Sequence, residues 1–440
     1  MRKERPGRMK ATGIIAEYNP LHNGHAYQLA QAKKETGADY VIVAMSGDFL
    51  QRGVPSIIDK HTRAQMALSA GADLVLELPA HMATASAEYF ARAGVQLLGS
   101  TGVVDTICYG CEQIQPVLMP KLTEILTDQI QDSGYETYLA RLLRNGMSYP
   151  LARQEALCAA LPEESADHLR AFLSMPNNIL ALEYEKSIAE WNQTHENVLC
   201  SHPIQRIGDG YHDTEVTSVY ASATALRALL LPCPDDRNTN TIDAPALFTE
   251  RNWDNLSRCM PDCSLDLLKK AADNNRLMDT DNFSVALYTA LLAAQQNGYE
   301  SYADCTEALS SRISGCLRNY VSFTQFAELL KTKELTHTRI NRVLTHIMLG
   351  ISQEMYQDTS IRYLRVLGFR EAAKPLLSSI SKKASAPLIT KVADASNILS
   401  ADAMQVFGQD LYAADLYRGI CSIQCRQNLC NEYTQPIVIV

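Results

Sequence analysis

The sequence predicts an α/β protein, with a doubly wound parallel sheet in its first half and an all-helical C-terminal domain behind it. Three observations carry that prediction. Apolar, β-rich runs alternate four times with helix-forming stretches between Thr12 and Tyr109. The runs open into polar or glycine-bearing turns, the kind of loop that gathers a site at the carboxyl ends of parallel strands. Beyond Asp243, leucines and alanines recur at helical spacing, and few β-rich runs appear before Ile437-Val438.

The elements follow in order. A first strand, Thr12 to Ala16, is punctuated by Asn19-Pro20 and Gly24 and gives way to a helix from Ala26 to Lys34. This strand, turn and helix set two imidazoles, His22 and His25, beside the free N–H groups of a helix start, where orphan donors and the dipole favour anions. Phosphate is the expected guest. Asp39 to Met45 reads as a buried parallel strand running into the loop Ser46 to Gly53. A helix from Lys60 to Ala70 stops at Gly71, and a strand follows from Asp73 to Pro79. Ala83 to Leu98 is a small-residue helix, and Val104 to Tyr109 a fourth strand that ends at Gly110-Cys111-Glu112. Residues 113–171 turn helical and more charged, as an insertion would. Asn177-Asn178 should cap a helix running to about Trp191. A short strand, Val198 to Ile207, carries Arg206, and Ser222 and Thr224 open a helix that presents Arg227. Pro232-Cys233-Pro234 and the polar stretch to Thr241 divide residues 9–235 from a helical domain at 243–436.

Composition bounds the function. At 440 residues, with 46% hydrophobic and 20% charged residues, the chain suits a globular enzyme of two or three domains. No apolar run approaches the ~20 residues of a membrane span, and basic Met1 to Lys10 lacks a signal-type core and cleavage site. A cytoplasmic location is expected. Twelve cysteines at irregular spacing then read as reduced thiols. Neither Cys259 with Cys263 nor Cys421, Cys425 and Cys430 has the paired spacing of a zinc site, so no metal ligands are assigned. The net charge of −9 requires any nucleic-acid contact to come from a local basic surface.

His22-Asn23-Gly24-His25, directly after a first strand, resembles the signature of the nucleotidylyltransferase superfamily, whose α/β domain binds ATP and transfers its adenylyl group. In that setting the small Gly24 lets a triphosphate approach the backbone, and the imidazoles donate hydrogen bonds to α-phosphate oxygens as charge builds. The superfamily pairs this motif with a Ser/Thr-rich motif ending in arginine. Ser222-x-Thr224-x-x-Arg227 supplies one in the right order, with hydroxyls, N–H groups and a guanidinium for the β and γ phosphates. Longer segments narrow the likeness: residues 13–25, 45–53 (Met-Ser-Gly-Asp-Phe-Leu-Gln-Arg-Gly), 58–63, 71–79 and 221–227 look like the bacterial tRNA(Met) cytidine acetate ligase family. Thr336 to Ile340 and Arg362 to Phe369 carry the resemblance through most of the chain.

The resemblance implies a Rossmann-like nucleotidylyltransferase (HUP-type) domain and a reaction. Acetate and ATP give acetyl-adenylate and pyrophosphate, and the acetyl group passes to N4 of the wobble cytidine of elongator tRNA(Met). It also implies ATP contacts from Ile15, Ala16, Glu17, Tyr18, Asn19, Pro20, Leu21, His22, Asn23, Gly24, His25, Ala26, Tyr27 and Gln28. Others would come from Gly110, from Asn177 or Asn178 with Asn177 favoured, from Arg206, and from Ser222, Thr224 and Arg227. Charge at the α-phosphate and on departing pyrophosphate would fall to His22, His25, Lys60, Arg63 and Arg227, with no protein nucleophile. Magnesium is expected with the ATP. Leu21 stands where an aromatic is common, and Gln205 where a lysine is more usual.

Several residues keep two readings. Lys60 and Arg63, one helical turn apart, also fit a solvated face, and Glu17 and Asp48 fit orienting, magnesium-assisting or turn roles. The basic clusters Lys331, Lys333, Arg339 and Arg342, and Arg362, Arg365 and Arg370 with Tyr363 and Phe369, suit RNA phosphates or a solvated helix surface. A nucleotidylyltransferase acting on a small molecule is the competing enzyme, and a regulatory RNA-binding protein the non-enzymatic alternative.

Overall fold

The structure, a computed structural model, describes residues 9–127, 134–207, 219–231, 250–332 and 334–440. The first half runs β1 (Ala11–Ala16), α1 (Asn23–Thr36), β2 (Tyr40–Ser46), α2 (Lys60–Ser69), β3 (Leu74–Leu78), α3 (Ala80–Ala83), α4 (Ala87–Ser100) and β4 (Val104–Cys111). The helices α5 (Leu118–Leu126), α6 (Tyr135–Arg144), α7 (Tyr149–Ala160) and α8 (Ala166–Leu173) precede α9 (Pro176–Thr194), β5 (Cys200–Gln205) and α10 (Ala223–Leu230). The second half contains α11 (Glu250–Cys259), α12 (Asp262–Asp273), α13 (Ser284–Ala294), α14 (Glu307–Cys316), α15 (Phe323–Leu330), α16 (His337–Leu349) and α17 (Gln353–Gln357). After these come β6 (Leu364–Phe369), α18 (Lys374–Lys383), β7 (Leu388–Ile389), α19 (Ala395–Ile398), α20 (Ala401–Cys425) and β8 (Val438–Ile439).

The sheet order is β5-β4-β1-β2-β3-β6-β7, with β8 also on β6. β1 to β5 pair in parallel throughout. The chain leaves β1 for β2 on one side and reaches β4 on the other, so the carboxyl end of β1 is the switch point where an open α/β sheet forms its crevice. β2 and β3 are buried almost throughout, which is why they read as continuous apolar runs. Helices α4 and α9 with the insertion helices cover one face, and α1, α2, α10 and α12 the other.

The C-terminal half is not wholly helical. β6 runs antiparallel to β3 and extends the same sheet, with all six of its residues buried. Its sequence hides the strand because Arg365 interrupts the apolar run. The ladder places Arg365 opposite Glu77, and their ion pair at 3.0 Å lets a charge sit inside a buried strand. The helical core is not separate either, since Phe49, Ala80 and Ala85 from the first half pack into the cluster built by α13 to α16. Residues 232–249, which include the expected boundary, and Lys333 lie outside the described residues.

Candidate active site

The turn after β1 builds the centre of a cleft. Tyr18 adopts φ 49° and Asn19-Pro20 is cis, and His22 follows as the N-cap of α1. His22 Nδ1 accepts from Gly24 N–H at 3.1 Å, and His25 Nδ1 from His22 N–H at 3.4 Å. The rings stack with centroids 3.8 Å apart, and Tyr18 meets His25 edge-on at 5.0 Å. Gly24 makes this cap fit: a Cβ there would lie 2.9 Å from the His22 ring. Its small size is required by the imidazole itself, not only by an approaching phosphate.

Burial, then Arg206 and Arg227, push the His22 pKa down to about 3. Burial, His22 and Arg206 hold His25 well below the ordinary imidazole range. Both rings are therefore neutral near pH 7. With Nδ1 of each accepting from backbone, the ring proton sits on Nε2, so the pair offers two N–H donors.

The second motif meets the first. Ser222 caps α10 by accepting from Ala225 N–H at 3.1 Å. Arg227 reaches back to donate to Asn19 O at 2.8 Å and to Thr224 Oγ1 at 3.3 Å. The cleft is lined by Ile15, Ala16, Glu17, Tyr18, Asn19, His22, His25 and Gln28 from the first turn and by Ser222, Thr224 and Arg227 from α10. Gly110 of β4, Arg206 directly after β5 and Asn177 of α9 line it as well, with Tyr109, Leu180 and Tyr184. Arg206 Cγ lies 3.2 Å from where a Gly110 Cβ would be, so the glycine makes room for the arginine stem.

A model of the family described as HIGH Nucleotidyl Transferase matches residues 9–432. The tRNA(Met) cytidine acetate ligase of Acetivibrio thermocellus is 33% identical over 442 residues, spanning 98% of this chain and 100% of its own. That of Clostridium novyi is 34% identical over 411 residues, spanning 92% of this chain and 94% of its own. The chain belongs to the tRNA(Met) cytidine acetate ligase family. The same fold is seen in Thermotoga maritima TmcAL without ligand, with TM-score 0.87 at 28% identity over 98% of this chain and 100% of that one. Its complex with alpha-thio ATP gives TM-score 0.85 at 28% identity, over 98% and 99%.

Within this family member, other expected residues stand elsewhere. Leu21 is fully buried in the core. Asn23 donates to Val219 O and Arg258 O at 3.1 and 2.9 Å, and Tyr27 packs against Tyr220. Pro20, Gly24 and Ala26 shape the turn and helix without lining the cleft. The Asn177-Asn178 pair does not cap α9, whose N-cap is Met175 with Pro176 next. Glu112 takes the capping role and accepts from the N–H groups of Asn177 and Asn178 at 3.1 and 2.9 Å. Asn178 is fully buried and accepts from Glu112 and Gln113 N–H, whereas Asn177 faces the cleft.

Lys60 and Arg63 are neither in the cleft nor on a solvated face. Arg63 is fully buried and donates to the carbonyls of Glu17, Ser46, Gly47 and Ile58, tying together the ends of β1 and β2. Lys60, 1% exposed, reaches Glu77 at 2.7 Å, Glu432 at 3.3 Å and Asp48 at 3.9 Å. Burial and Arg365 press its pKa down, but the three carboxylates more than offset them and the net direction is up. Asp48, pushed up to about 6 by burial against the pull of Lys60 and Arg63, accepts from Lys60 N–H at 2.8 Å, away from the cleft.

Arg365 closes this network by pairing with Glu77 and Glu432. At 3% exposure it cannot reach an RNA phosphate, which corrects its assignment. Arg339 and Arg342 sit on the first turns of α16, bound to Asp304 at 3.3 and 2.9 Å. Arg362 pairs with Asp358, and Lys331 is exposed at the end of α15. The cleft also contains Leu50, Gln51, Arg52 and Val54 from the loop after β2 and Phe90 from α4. No periodic signal marks these, although Leu50, Gln51 and Arg52 lie inside the quoted segment 45–53. Among the described residues no group of three or more His, Cys, Asp or Glu could hold a metal, and no helix is long and apolar enough to cross a membrane.

Proposed function

We propose that the chain is an ATP-dependent tRNA-modifying ligase that activates acetate and acetylates N4 of the wobble cytidine of elongator tRNA(Met). The observation that carries the reading is the convergence of His22 and His25 with Ser222, Thr224 and Arg227 on one cleft. An acetate oxygen attacks the α-phosphorus, the bond to the bridging oxygen breaks, and pyrophosphate leaves with the electron pair. Two neutral Nε2–H donors suit the α-phosphate oxygens, because they place positive dipoles where charge builds without the cost of burying a cation. The start of α10 and Arg227 suit the departing pyrophosphate. The cytidine amine then attacks the acetyl carbonyl, AMP departs, and the amine loses a proton.

Magnesium fits as an ion carried by triphosphate oxygens, since Glu17 is the one carboxylate among the described cleft residues and such an ion needs few protein ligands. The relatives' names supply acetate and tRNA(Met) as substrates, and we place the reaction in the cytoplasm, where that tRNA is found. Lys331, Arg339 and Arg342 at the α15–α16 junction, with Arg362, are the proposed RNA contacts. Purified protein should release pyrophosphate when given ATP and acetate. Absence of release, with and without tRNA, overturns the assignment.

A further inference from the structure

The cleft residues fall into two sets. His22, His25, Ser222, Arg227, Gly110 and Arg206 belong to the elements already given to the nucleotide. The loop after β2 and Phe90 belong to none of them, yet they line the same cavity.

That loop is a preformed turn. Gly53 N–H donates to Leu50 O at 2.8 Å and Leu50 N–H to Val54 O at 2.9 Å, which puts Gln51 and Arg52 at the two central positions. Gly53 completes it in the left-handed region, at φ +69°. The turn is held from both sides. Gln51 N–H donates to Glu17 Oε1 at 2.7 Å, and Thr345 Oγ1 of α16 donates to Gly53 O at 2.8 Å. A Cβ on Gly53 would lie 2.2 Å from the Arg342 backbone nitrogen, so the loop rests directly on α16. Arg52 is thus carried at a fixed tip and half-buried, with buried Leu50 and Phe90 lining the same cavity.

A short carboxylic acid makes two demands: a cation shaped for two oxygens, and a small dry wall for its carbon tail. We propose that Arg52, Leu50, Val54 and Phe90 form the acid subsite, in which the guanidinium binds the carboxylate of acetate and the three apolar side chains enclose its methyl group and limit chain length. This deepens the function proposed above and rests on it.

The test uses the full-length protein in acetate-dependent exchange of pyrophosphate with ATP. Arg52→Gln should raise KM for acetate at least about tenfold while KM for ATP stays within about twofold, and Arg52→Lys should recover part of the loss. Val54→Ala should raise kcat/KM for propionate relative to acetate about tenfold, the effect of one accommodated methylene. Thermal midpoints equal to the parent's establish that the variants are folded. If Arg52→Gln leaves KM for acetate unchanged, or raises KM for ATP as much, Arg52 does not bind the acid. An unchanged propionate preference in Val54→Ala overturns the wall. Both failures are read against a parent that exchanges with acetate, whereas a parent that does not exchange overturns the ligase reading itself.

Discussion

Replacing Lys60 by methionine removes the one ammonium from a buried cluster of Glu77, Glu432, Asp48 and Arg365. Its nitrogen lies 2.7 Å from Glu77 and 3.3 Å from Glu432. At an effective dielectric of ~20 these contacts are worth about 6 and 5 kcal/mol. Most of that offsets the cost of taking the ammonium out of water, a cost the methionine avoids. What remains in Lys60→Met is Arg365 facing two carboxylates that had two cations between them. Breaking a buried pair from one side typically costs ~3–5 kcal/mol. Thermal denaturation of the 440-residue chain should therefore show a midpoint lower by about 3–5 °C, while the folded fraction keeps its KM for ATP. Lys60→Met with Glu77→Leu removes one charge of each sign and should recover most of the stability, because apolar replacements for a buried pair are commonly neutral or better. A Lys60→Met protein as stable as its parent yet unable to form acetyl-adenylate would refute this account and return Lys60 to the triphosphate.

Other expectations follow from the same geometry. His25→Ala removes one of two stacked donors and should lower adenylate formation by about 10²–10³ with little change in affinity for an ATP analogue; exchange within a few-fold of the parent would end its proposed role. The folded pKa of His22 is about 3 against ~6.5 unfolded, so below pH 6.5 the unfolded chain takes up a proton that the folded site refuses. Stability from this group is complete above pH 6.5 and is lost as pH falls toward 3. His22→Gln should accordingly lose about 2–3 kcal/mol less than the parent between pH 7 and 4.5, read from urea midpoints, and parallel losses would show that His22 is not buried neutral. Arg339→Ala should weaken tRNA binding and reduce the slope of log affinity against log salt by about one, with adenylate formation intact. An unchanged slope would remove Arg339 from the interface.

The sheet was legible where burial on both faces produces unbroken apolar runs, as in β2 and β3. It was illegible at β6 because Arg365 looks like a solvent charge until Glu77, 288 positions away in sequence numbering (365 minus 77), is set opposite it. The first turn and the start of α10 were legible because each combines residue types that phosphate chemistry needs with a helix start. Their neighbours failed for a common reason. Spacing tells which residues share a helix face, but not what that face meets. Lys60 and Arg63 share a face that meets carboxylates and strand-end carbonyls rather than water or phosphate. Asn177 and Asn178 have capping chemistry, yet Glu112 reaches the helix start from β4's end and displaces them. The cleft wall at Leu50 to Val54 depends on a turn closed by backbone hydrogen bonds, which side-chain pattern does not encode.

The C-terminal half supports the cleft from behind. Tyr417 of α20 donates to Ser56 O at 2.8 Å, Asp410 accepts from Ala80 N–H at 2.7 Å, and His346 of α16 lies between Thr84 O and Ala303 O at 3.0 and 2.9 Å. The loop carrying Arg52 is thus braced by the same helix whose first turns carry Arg339 and Arg342. On the proposed reading this matters for the second half of the reaction. An acetyl-adenylate formed in the cleft is open to water until the cytidine arrives, so the RNA contacts should lie close to the wall that holds the acid. α16 meets that condition through direct packing of the Arg342 backbone on Gly53, one residue from Arg52. A basic cluster on a detached helical domain would need a hinge to bring the base to the adenylate, whereas here the helix that supports the acid's wall also carries Arg339 and Arg342, two of the proposed RNA contacts.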